Sequence, residues 1–194
     1  MTGVKRVCVY CGSSGRVAEA LRDAATRTGR LLAQSGMELI YGGGHIGLMG
    51  LTADAALAAG GRVTGIIPDF LHGRERAHTQ VSELVVVGSM HERKQRMFER
   101  SDAFVILPGG LGTLDEAFEC MTWKQLRLHD KPIVIVDVEG YWQPLLKLLD
   151  HAIATGFAPA EVRDGLTVVA TPEELIAALK VAPEPHLPPM PERA

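Results

Sequence analysis

One stretch, residues 103–116, joins an apolar run to a helix through a glycine-rich turn and constrains the fold more than any other part of the chain. Residues 103–107 (Ala-Phe-Val-Ile-Leu) are typical of a buried strand. The turn contains Gly109, Gly110 and Gly112, and we expect a helix to open at Thr113. Backbone N–H groups beside glycines, together with the positive end of a helix dipole, favour an anion. The stretch therefore predicts a strand–turn–helix unit that binds a phosphate-like group.

Glu116 is unexpected next to such a site, because its carboxylate would repel the anion. Its presence suggests a ligand with a phosphate at one end and developing positive charge at the other. Thr113 and Glu116 also have the spacing of a capping box, in which the Glu reaches back to the backbone N–H of the Thr. These residues alone leave a helix cap and a catalytic carboxylate both open.

Helical periodicity over residues 114–128 predicts one core-facing stripe and one opposite face. This places Glu116 away from the core, before a cavity or solvent. Trp123, with Cys120 and Leu126 beside it, forms a second apolar strip on that side, which predicts contact with another subunit and hence a homodimer. The expected core stripe consists of Leu114, Ala117, Phe118, Met121 and Leu128.

Short apolar runs alternate with helical patterns along the chain. This alternation predicts an α/β fold, a single doubly wound, Rossmann-like parallel sheet with helices on both faces, over residues 1–181. Five prolines among residues 182–194 predict a disordered tail. Ligands of such sheets bind outside the carboxyl ends of the strands.

Residues 42–47 satisfy the pattern G-x-G-x-x-G, which leaves a dinucleotide site as one alternative. The pattern follows the second strand, and the acidic residue near the required distance, Asp69, comes only after Pro68, beyond the third strand. A turn that lines a nucleotide pocket agrees better with this placement. The residues expected to line this part of the pocket are Gly12, Ser13, Gly43 and Gly44.

Arg93 and Lys94 fall on the stripe of their helix that should face inward, with Met90, Met97 and Phe98. Unpaired buried cations are costly, so the two must meet a carboxylate or an anionic ligand. Snorkelling of both side chains at the helix start is the alternative.

Composition excludes several classes of function. The 194 residues include 20 Lys and Arg against 23 acidic residues, so no basic excess favours nucleic acid. No apolar run approaches the roughly 18 residues of a membrane span, and we expect a cytoplasmic protein.

Cys8 and Cys11, three apart on a strand, should point to opposite faces and act as structural residues. His72 and His78 show no ligand spacing with other candidates, so no metal site is predicted.

Three motifs together resemble the LONELY GUY family of cytokinin-activating phosphoribohydrolases, often labelled lysine decarboxylase-like. Residues 108–116 match its motif P-G-G-x-G-T-x-x-E, Met90-His-Glu-Arg-Lys94 matches its Met-x-x-Arg-Lys helix start, and residues 41–50 match its first glycine turn. They occur in the family's order and spacing, and the resemblance covers residues from about 4 to 179.

The resemblance implies hydrolysis of the N-glycosidic bond of N6-substituted AMP, and often of AMP, to free base and ribose 5-phosphate without a cofactor. Glu116 and Arg93 match the family's catalytic positions, and the high pKa of arginine favours an electrostatic and orienting role for Arg93. A carrier of a nucleotide or of molybdenum cofactor and a nicotinamide reductase are the alternatives. The substrate-binding residues implied are Glu75, Arg93, Lys94, Gly110, Leu111, Gly112, Thr113, Leu114, Asp115, Glu116 and Thr122.

Overall fold

The computed structural model describes residues 3–72 and 77–183, which form one seven-stranded parallel sheet. The strand order is β4-β3-β2-β1-β5-β6-β7. The chain therefore moves outward from β1 to β4 and then returns to place β5 beside β1, which confirms the doubly wound prediction. The strands are β1 (Arg6–Tyr10), β2 (Glu38–Tyr41), β3 (Val63–Pro68), β4 (Glu83–Val87), β5 (Ala103–Ile106), β6 (Ile133–Val136) and β7 (Leu166–Val169).

Helices connect the strands, and two of them begin at side-chain caps. The Ser89 hydroxyl accepts a hydrogen bond from the Glu92 N–H, and the Thr171 hydroxyl accepts one from the Glu174 N–H. A short helix follows β3 directly. The helices are α1 (Glu19–Gln34), α2 (Gly47–Ala58), α3 (Asp69–His72), α4 (Met90–Glu99), α5 (Leu111–Gln125), α6 (Gln143–Ala154), α7 (Glu161–Asp164) and α8 (Pro172–Val181).

The sheet separates two apolar cores. Val7 and Val9 of β1 face the core that contains residues of α1, α2 and α8, while Cys8 and Tyr10 face the core that contains residues of α4, α5 and α6. This alternation follows from the two-residue period of a strand. It also places Cys8 and Cys11 in different cores, as the sequence predicts.

Helix α5 departs from the predicted core stripe. It begins at Leu111 rather than at Thr113, with Gly110 as its N-cap. Phe118 is 37% exposed, so the prediction that it lies in the core is wrong. The side of α5 that includes Glu116 is buried as well, since the helix packs between the sheet and a cavity. The buried residues of the helix are Thr113, Glu116, Ala117, Cys120 and Met121.

The predicted apolar strip on α5 is likewise not continuous. Cys120 is buried in the core, and the Trp123 ring packs edge-on against Phe98 with centroids 4.9 Å apart. Of the strip, only Leu126 is strongly exposed, at 59%. The exposed large apolar residues of α5 and its C-cap are Leu111, Phe118 and Leu126.

His129, between α5 and β6, is a buried histidine whose ring packs against Phe98 and Phe104. Its Nε2 lies 2.9 Å from the carbonyl oxygen of Cys120. Burial lowers the pKa of His129 to about 4, against an ordinary value of 6.5. The side chain is therefore neutral in the folded protein over a range in which the unfolded chain binds a proton.

We expect the folded state to lose stability as the pH falls from 6.5 towards 4. Below the unfolded-state pKa of His129 the unfolded chain takes up a proton that the folded chain excludes, at about 1.4 kcal/mol per pH unit. Urea unfolding of the wild type and of His129→Gln at pH 7, 6 and 5 measures this. The stability difference between the two proteins should shrink as the pH falls, and a pH-independent difference would contradict the assignment.

Two sequence predictions concern residues outside the described ranges. Glu75 lies between them, and the predicted tail lies beyond them from residue 184 onward. Within the described ranges, every helix is too short or too polar to cross a membrane.

Candidate active site

A cavity of about 220 Å³ lies at the carboxyl ends of the strands, where β1 and β5 meet. The strand order reverses between these two strands, and open α/β sheets bind ligands at such a point. The cavity is lined by Cys11, Gly12, Ser13, Met49, Leu71, Met90, Arg93, Gly110, Leu111, Gly112, Thr113 and Glu116.

The glycine turn after β5 is fixed from two sides. The Gly12 N–H donates to the Pro108 carbonyl at 3.0 Å, and the Tyr141 hydroxyl donates to the Gly109 carbonyl at 2.7 Å. A side chain at Gly109 would collide with the first turn of α5, because its Cβ would lie 2.6 Å from the Cβ of Thr113. Glycine at this position therefore permits the close packing of the turn on the helix.

The start of α5 opens toward the cavity. Among the described residues, no side chain caps the helix at Gly110, and a Cβ added at Gly110 or Gly112 would meet none of their atoms within 4 Å. Backbone N–H groups at the start of an uncapped helix, together with the helix dipole, attract an anion. The predicted anion site is therefore compatible with the shape of this helix start.

The start of α2 differs, although it follows the G-x-G-x-x-G pattern. The N–H groups of Leu48 and Met49 both donate to the Gly12 carbonyl, at 2.9 and 3.3 Å. Gly47 has a φ of 65°, and a Cβ there would lie 2.6 Å from the Ser14 nitrogen. The backbone of the loop after β1 thus occupies the place where a pyrophosphate would bind in a dinucleotide site. This packing disfavours the dinucleotide alternative.

Arg93 extends from α4 into the protein and is only 5% exposed. Its Nη2 donates to the Gly42 carbonyl at 2.9 Å. A Cβ at Gly42 would lie 2.9 Å from Cζ of Arg93 and still nearer to Nη2. Glycine at position 42 therefore leaves room for the guanidinium group of Arg93 beside the cavity.

Glu116 lies on the same cavity, and its side chain is largely buried. Burial raises the pKa of the Cys11 thiol, the negative charge of Glu116 raises it further, and the positive charge of Arg93 opposes this effect. Both charges therefore act close to one buried thiol on the wall of the cavity.

Because α5 begins at Leu111, Thr113 lies within the first turn and is not the N-cap. The capping-box hypothesis for Thr113 and Glu116 is thus wrong.

Lys94 does not line the cavity and meets carboxylates of α5, one of the two outcomes that its inward position predicts. Its Nζ lies 3.0 Å from Asp115 Oδ2 and 3.1 Å from Glu119 Oε1. Burial lowers the pKa of Lys94, but these two partners outweigh burial and leave the pKa above its ordinary value. The ion pairs join α4, which carries Arg93, to α5, which carries Glu116.

Several residues predicted for the site lie outside the wall of the cavity. Gly43 and Gly44 are buried behind it, where the Gly43 carbonyl accepts from the His78 N–H and Gly44 pairs with Ala77. Leu114 packs against the core, and Thr122 is exposed. None of these four residues lines the cavity.

Four lining residues are absent from the sequence-predicted set: Cys11, Met49, Leu71 and Met90. Each follows the carboxyl end of a strand, as part of the following loop or helix. The rule that placed the glycine turns at this edge would have found them too. Three of them, the two methionines and the leucine, give the cavity an apolar wall.

A larger cavity, of about 450 Å³, lies between the end of α5 and the starts of β6 and β7. It includes none of the residues predicted for the site. It also lies at the opposite edge of the sheet from the carboxyl ends, so we place the candidate site in the smaller cavity.

The fold and the cavity define the chain as a Rossmann-like α/β protein with a buried carboxylate and a buried guanidinium group on one wall of a strand-end cleft. A family model described as "Possible lysine decarboxylase" matches residues 49–179. A probable cytokinin riboside 5'-monophosphate phosphoribohydrolase of Oryza sativa subsp. japonica is 43% identical over 181 residues, which are 93% of this chain and 81% of the relative. A cytokinin riboside 5'-monophosphate phosphoribohydrolase of Arabidopsis thaliana is 43% identical over 176 residues, 91% of this chain and 83% of the relative.

The chain therefore belongs to the LONELY GUY family of cytokinin riboside 5'-monophosphate phosphoribohydrolases, as its three motifs predict. A solved structure of the molybdenum cofactor carrier protein of Chlamydomonas reinhardtii is similar in fold. It has a TM-score of 0.70 at 23% identity and covers 91% of this chain and 96% of its own. At that identity the similarity shows the fold alone.

Proposed function

We propose that this protein hydrolyses the N-glycosidic bond of adenosine 5'-monophosphate and its N6-substituted forms in the cytoplasm, and releases the free base and ribose 5-phosphate. The observation that carries the proposal is the presence of Glu116 and Arg93 on one cavity, into which the uncapped start of α5 opens. The names of the relatives agree with this reaction.

The phosphate binds at the start of α5 in this proposal. Gly110, Leu111, Gly112 and Thr113 line the cavity there and offer backbone N–H groups to the phosphate oxygens. Charge-assisted hydrogen bonds of this kind are roughly twice as strong as neutral ones. The contacts hold the 5' end of the nucleotide, so that the ribose lies deeper along the same wall.

Glu116 acts on the sugar. Cleavage of a glycosidic bond produces an oxocarbenium-like transition state, which a carboxylate stabilises or attacks by way of an activated water. The carboxylate of Glu116 is buried, so its charge is less screened than it would be in water. We assign it this role.

Arg93 orients the site. Its guanidinium group donates to the Gly42 carbonyl. Arginine is in general a poor proton donor, so we do not assign it that role. We assign it to hold Glu116 or the ribose in position by charge and hydrogen bonding. The base then packs against Met49, Leu71 and Met90, which form the apolar wall.

We expect Gly42→Ala to lower kcat by roughly tenfold to a hundredfold, as small displacements of catalytic groups do. The added methyl group would occupy the space of the Arg93 guanidinium group. Gly88→Ala is the matched control at the start of α4, because its Cβ would meet only Glu92 Oε2, at an ordinary 3.6 Å. Equal kcat for the two variants in an assay of free base would contradict the role of Gly42.

We propose the remaining residues implied by the resemblance as supporting contacts of the substrate. Lys94 and Asp115 pair with each other between α4 and α5. Thr122 lies on the exposed side of α5, and Glu75 and Leu114 complete the set. We infer that a second copy of the chain covers the exposed side of α5, where Leu111 is 86% exposed.

Light scattering of the purified protein at micromolar concentration should therefore give the mass of a dimer. Phe118→Glu should weaken the association, because it places a charge among exposed apolar residues of α5. Leu148→Glu, also at an exposed apolar residue but on α6, is the comparison. A monomeric wild type would contradict the homodimer.

Incubation of the pure protein with AMP and with isopentenyl-AMP, followed by chromatography of the free base, tests the proposed reaction. We expect release of adenine or isopentenyladenine, and no loss of carbon dioxide from lysine in a parallel reaction. A carrier of nucleotide or molybdenum cofactor, the alternative function, would bind its ligand without turnover.

A further inference from the structure

Three side chains with metal-binding atoms meet outside the candidate active site: His45, Asp54 and His78. Their ligand atoms, one from each residue, all lie within 4.8 Å of one another. His78 Nε2 is 2.8 Å from Asp54 Oδ1, and the rings of the two histidines meet edge to face with centroids 4.4 Å apart. None of the three lines the active-site cavity.

The backbone fixes two of these residues relative to each other. Gly44 and Ala77 form an antiparallel bridge, and the His78 N–H donates to the Gly43 carbonyl at 2.9 Å. His45 and His78 each follow a partner of this bridge directly in the chain. Asp54 lies beside them on α2. Residues from three separate parts of the fold therefore lie close together without a bound metal.

From this convergence we propose that His45, Asp54 and His78 form a site for a divalent transition metal, with Zn²⁺ as its representative. Two imidazoles and a carboxylate are ligands that zinc accepts, and three protein ligands leave a fourth position for water. Zinc bonds of about 2.0–2.1 Å place tetrahedral ligands roughly 3.3 Å apart. His45 and the Asp54 carboxylate are exposed and can rotate to close the present distances.

His78 is the fixed ligand, because its side chain is only 1% exposed. The Gln80 N–H approaches His78 Nδ1 at 3.3 Å, which in the metal-free protein places the imidazole proton on Nε2, toward Asp54. Metal binding at Nε2 moves that proton to Nδ1 and releases the Gln80 N–H. Gln80 is exposed, so water replaces the lost contact.

The site would connect α2, the turn after β2 and the segment that leads into β4. A metal that binds only the folded protein raises its stability by mass action. Its role is therefore to hold this segment in place, separately from the hydrolysis proposed at Glu116.

Calorimetric titration of untagged, chelator-treated protein with Zn²⁺ tests the site, followed by thermal melting with and without zinc. We expect one zinc per chain and a Tm that rises by about 5–10 °C when free zinc is about a hundred times Kd. Absence of saturable binding at micromolar zinc would overturn the proposal.

His45→Asn is the decisive variant, since it removes an exposed ligand and leaves the bond between His78 and Asp54 in place. It should weaken zinc binding at least tenfold and abolish most of the rise in Tm, with little change in the Tm of the metal-free protein. His151→Asn, at an exposed histidine of α6, should bind zinc as the wild type does. Equal Kd and stoichiometry for His45→Asn and the wild type would overturn the assignment.

Base release from AMP should be the same with and without zinc, so failure of the site leaves the proposed hydrolysis unaffected.

Discussion

Replacement of Glu116 by Gln is expected to lower kcat for base release by roughly a hundredfold or more, while AMP still binds. Gln keeps the size of the side chain and a hydrogen-bonding oxygen but loses the negative charge that faces the ribosyl cation or takes a proton from water. Loss of one electrostatic or acid–base group typically costs this much.

Stability should be retained in Glu116→Gln or rise slightly. The side chain is buried beside the start of α5, where the variant removes a charge that would repel a bound phosphate. The predicted outcome is therefore a separation of effects: an unchanged Tm, retained binding of AMP and a large fall in kcat. Denaturation curves, calorimetry and an assay of free base measure the three quantities.

Glu119→Gln is the matched control on the same helix. Glu119 pairs with Lys94, which keeps Asp115 as a second partner, so this variant should retain kcat within a fewfold. If Glu116→Gln releases base within a fewfold of the wild type, the proposed mechanism is wrong and only nucleotide binding remains.

The second large effect is the fall in kcat/KM that we expect for a substrate without the 5'-phosphate. Adenosine lacks the group that would bind at the start of α5, and the lost contacts are together worth on the order of a few kcal/mol. Because about 1.4 kcal/mol corresponds to a factor of ten, kcat/KM for adenosine should be lower than for AMP by roughly a hundredfold or more.

A competition experiment separates phosphate binding from other differences between the two substrates. Ribose 5-phosphate should inhibit base release from AMP, whereas ribose at the same concentration should not. Equal kcat/KM for adenosine and AMP would contradict the assignment of residues 110–113 to the phosphate.

Local patterns in the sequence predict much of the site. The strand, glycine turn and helix of residues 103–116 form in the predicted order, although the helix begins at Leu111 rather than at Thr113. The inward position of Arg93 also follows from helical spacing alone. Helical spacing does not predict the hydrogen bond between Arg93 and the Gly42 carbonyl, because Gly42 lies 51 residues earlier in the chain.

Helix α5 shows why the rest could not be predicted. Periodicity assumes one buried face, but α5 is buried against the core at Ala117 and against the cavity at Glu116. A cavity that accepts a polar ligand leaves no apolar signature in the sequence, so the buried surface of the helix is wider than its apolar stripe. The helix also begins before its predicted start, because Gly110 serves as its N-cap and a glycine has no side chain that could signal a cap in the sequence.

The meeting of His45, Asp54 and His78 has the same origin. His78 comes 24 residues after Asp54, and no short motif connects them. The bridge between Gly44 and Ala77 brings them together, and this contact exists only in the folded chain.

The central claim, hydrolysis of a nucleoside 5'-monophosphate, is tested most directly by the products formed from isopentenyl-AMP at a large molar excess over the enzyme. We predict isopentenyladenine and ribose 5-phosphate in equal amounts, each far above the amount of protein present, and no base from the same incubation with Glu116→Gln beyond about a hundredth of that amount. Bound nucleotide that remains intact after hours of incubation would contradict the account and identify a carrier instead of an enzyme.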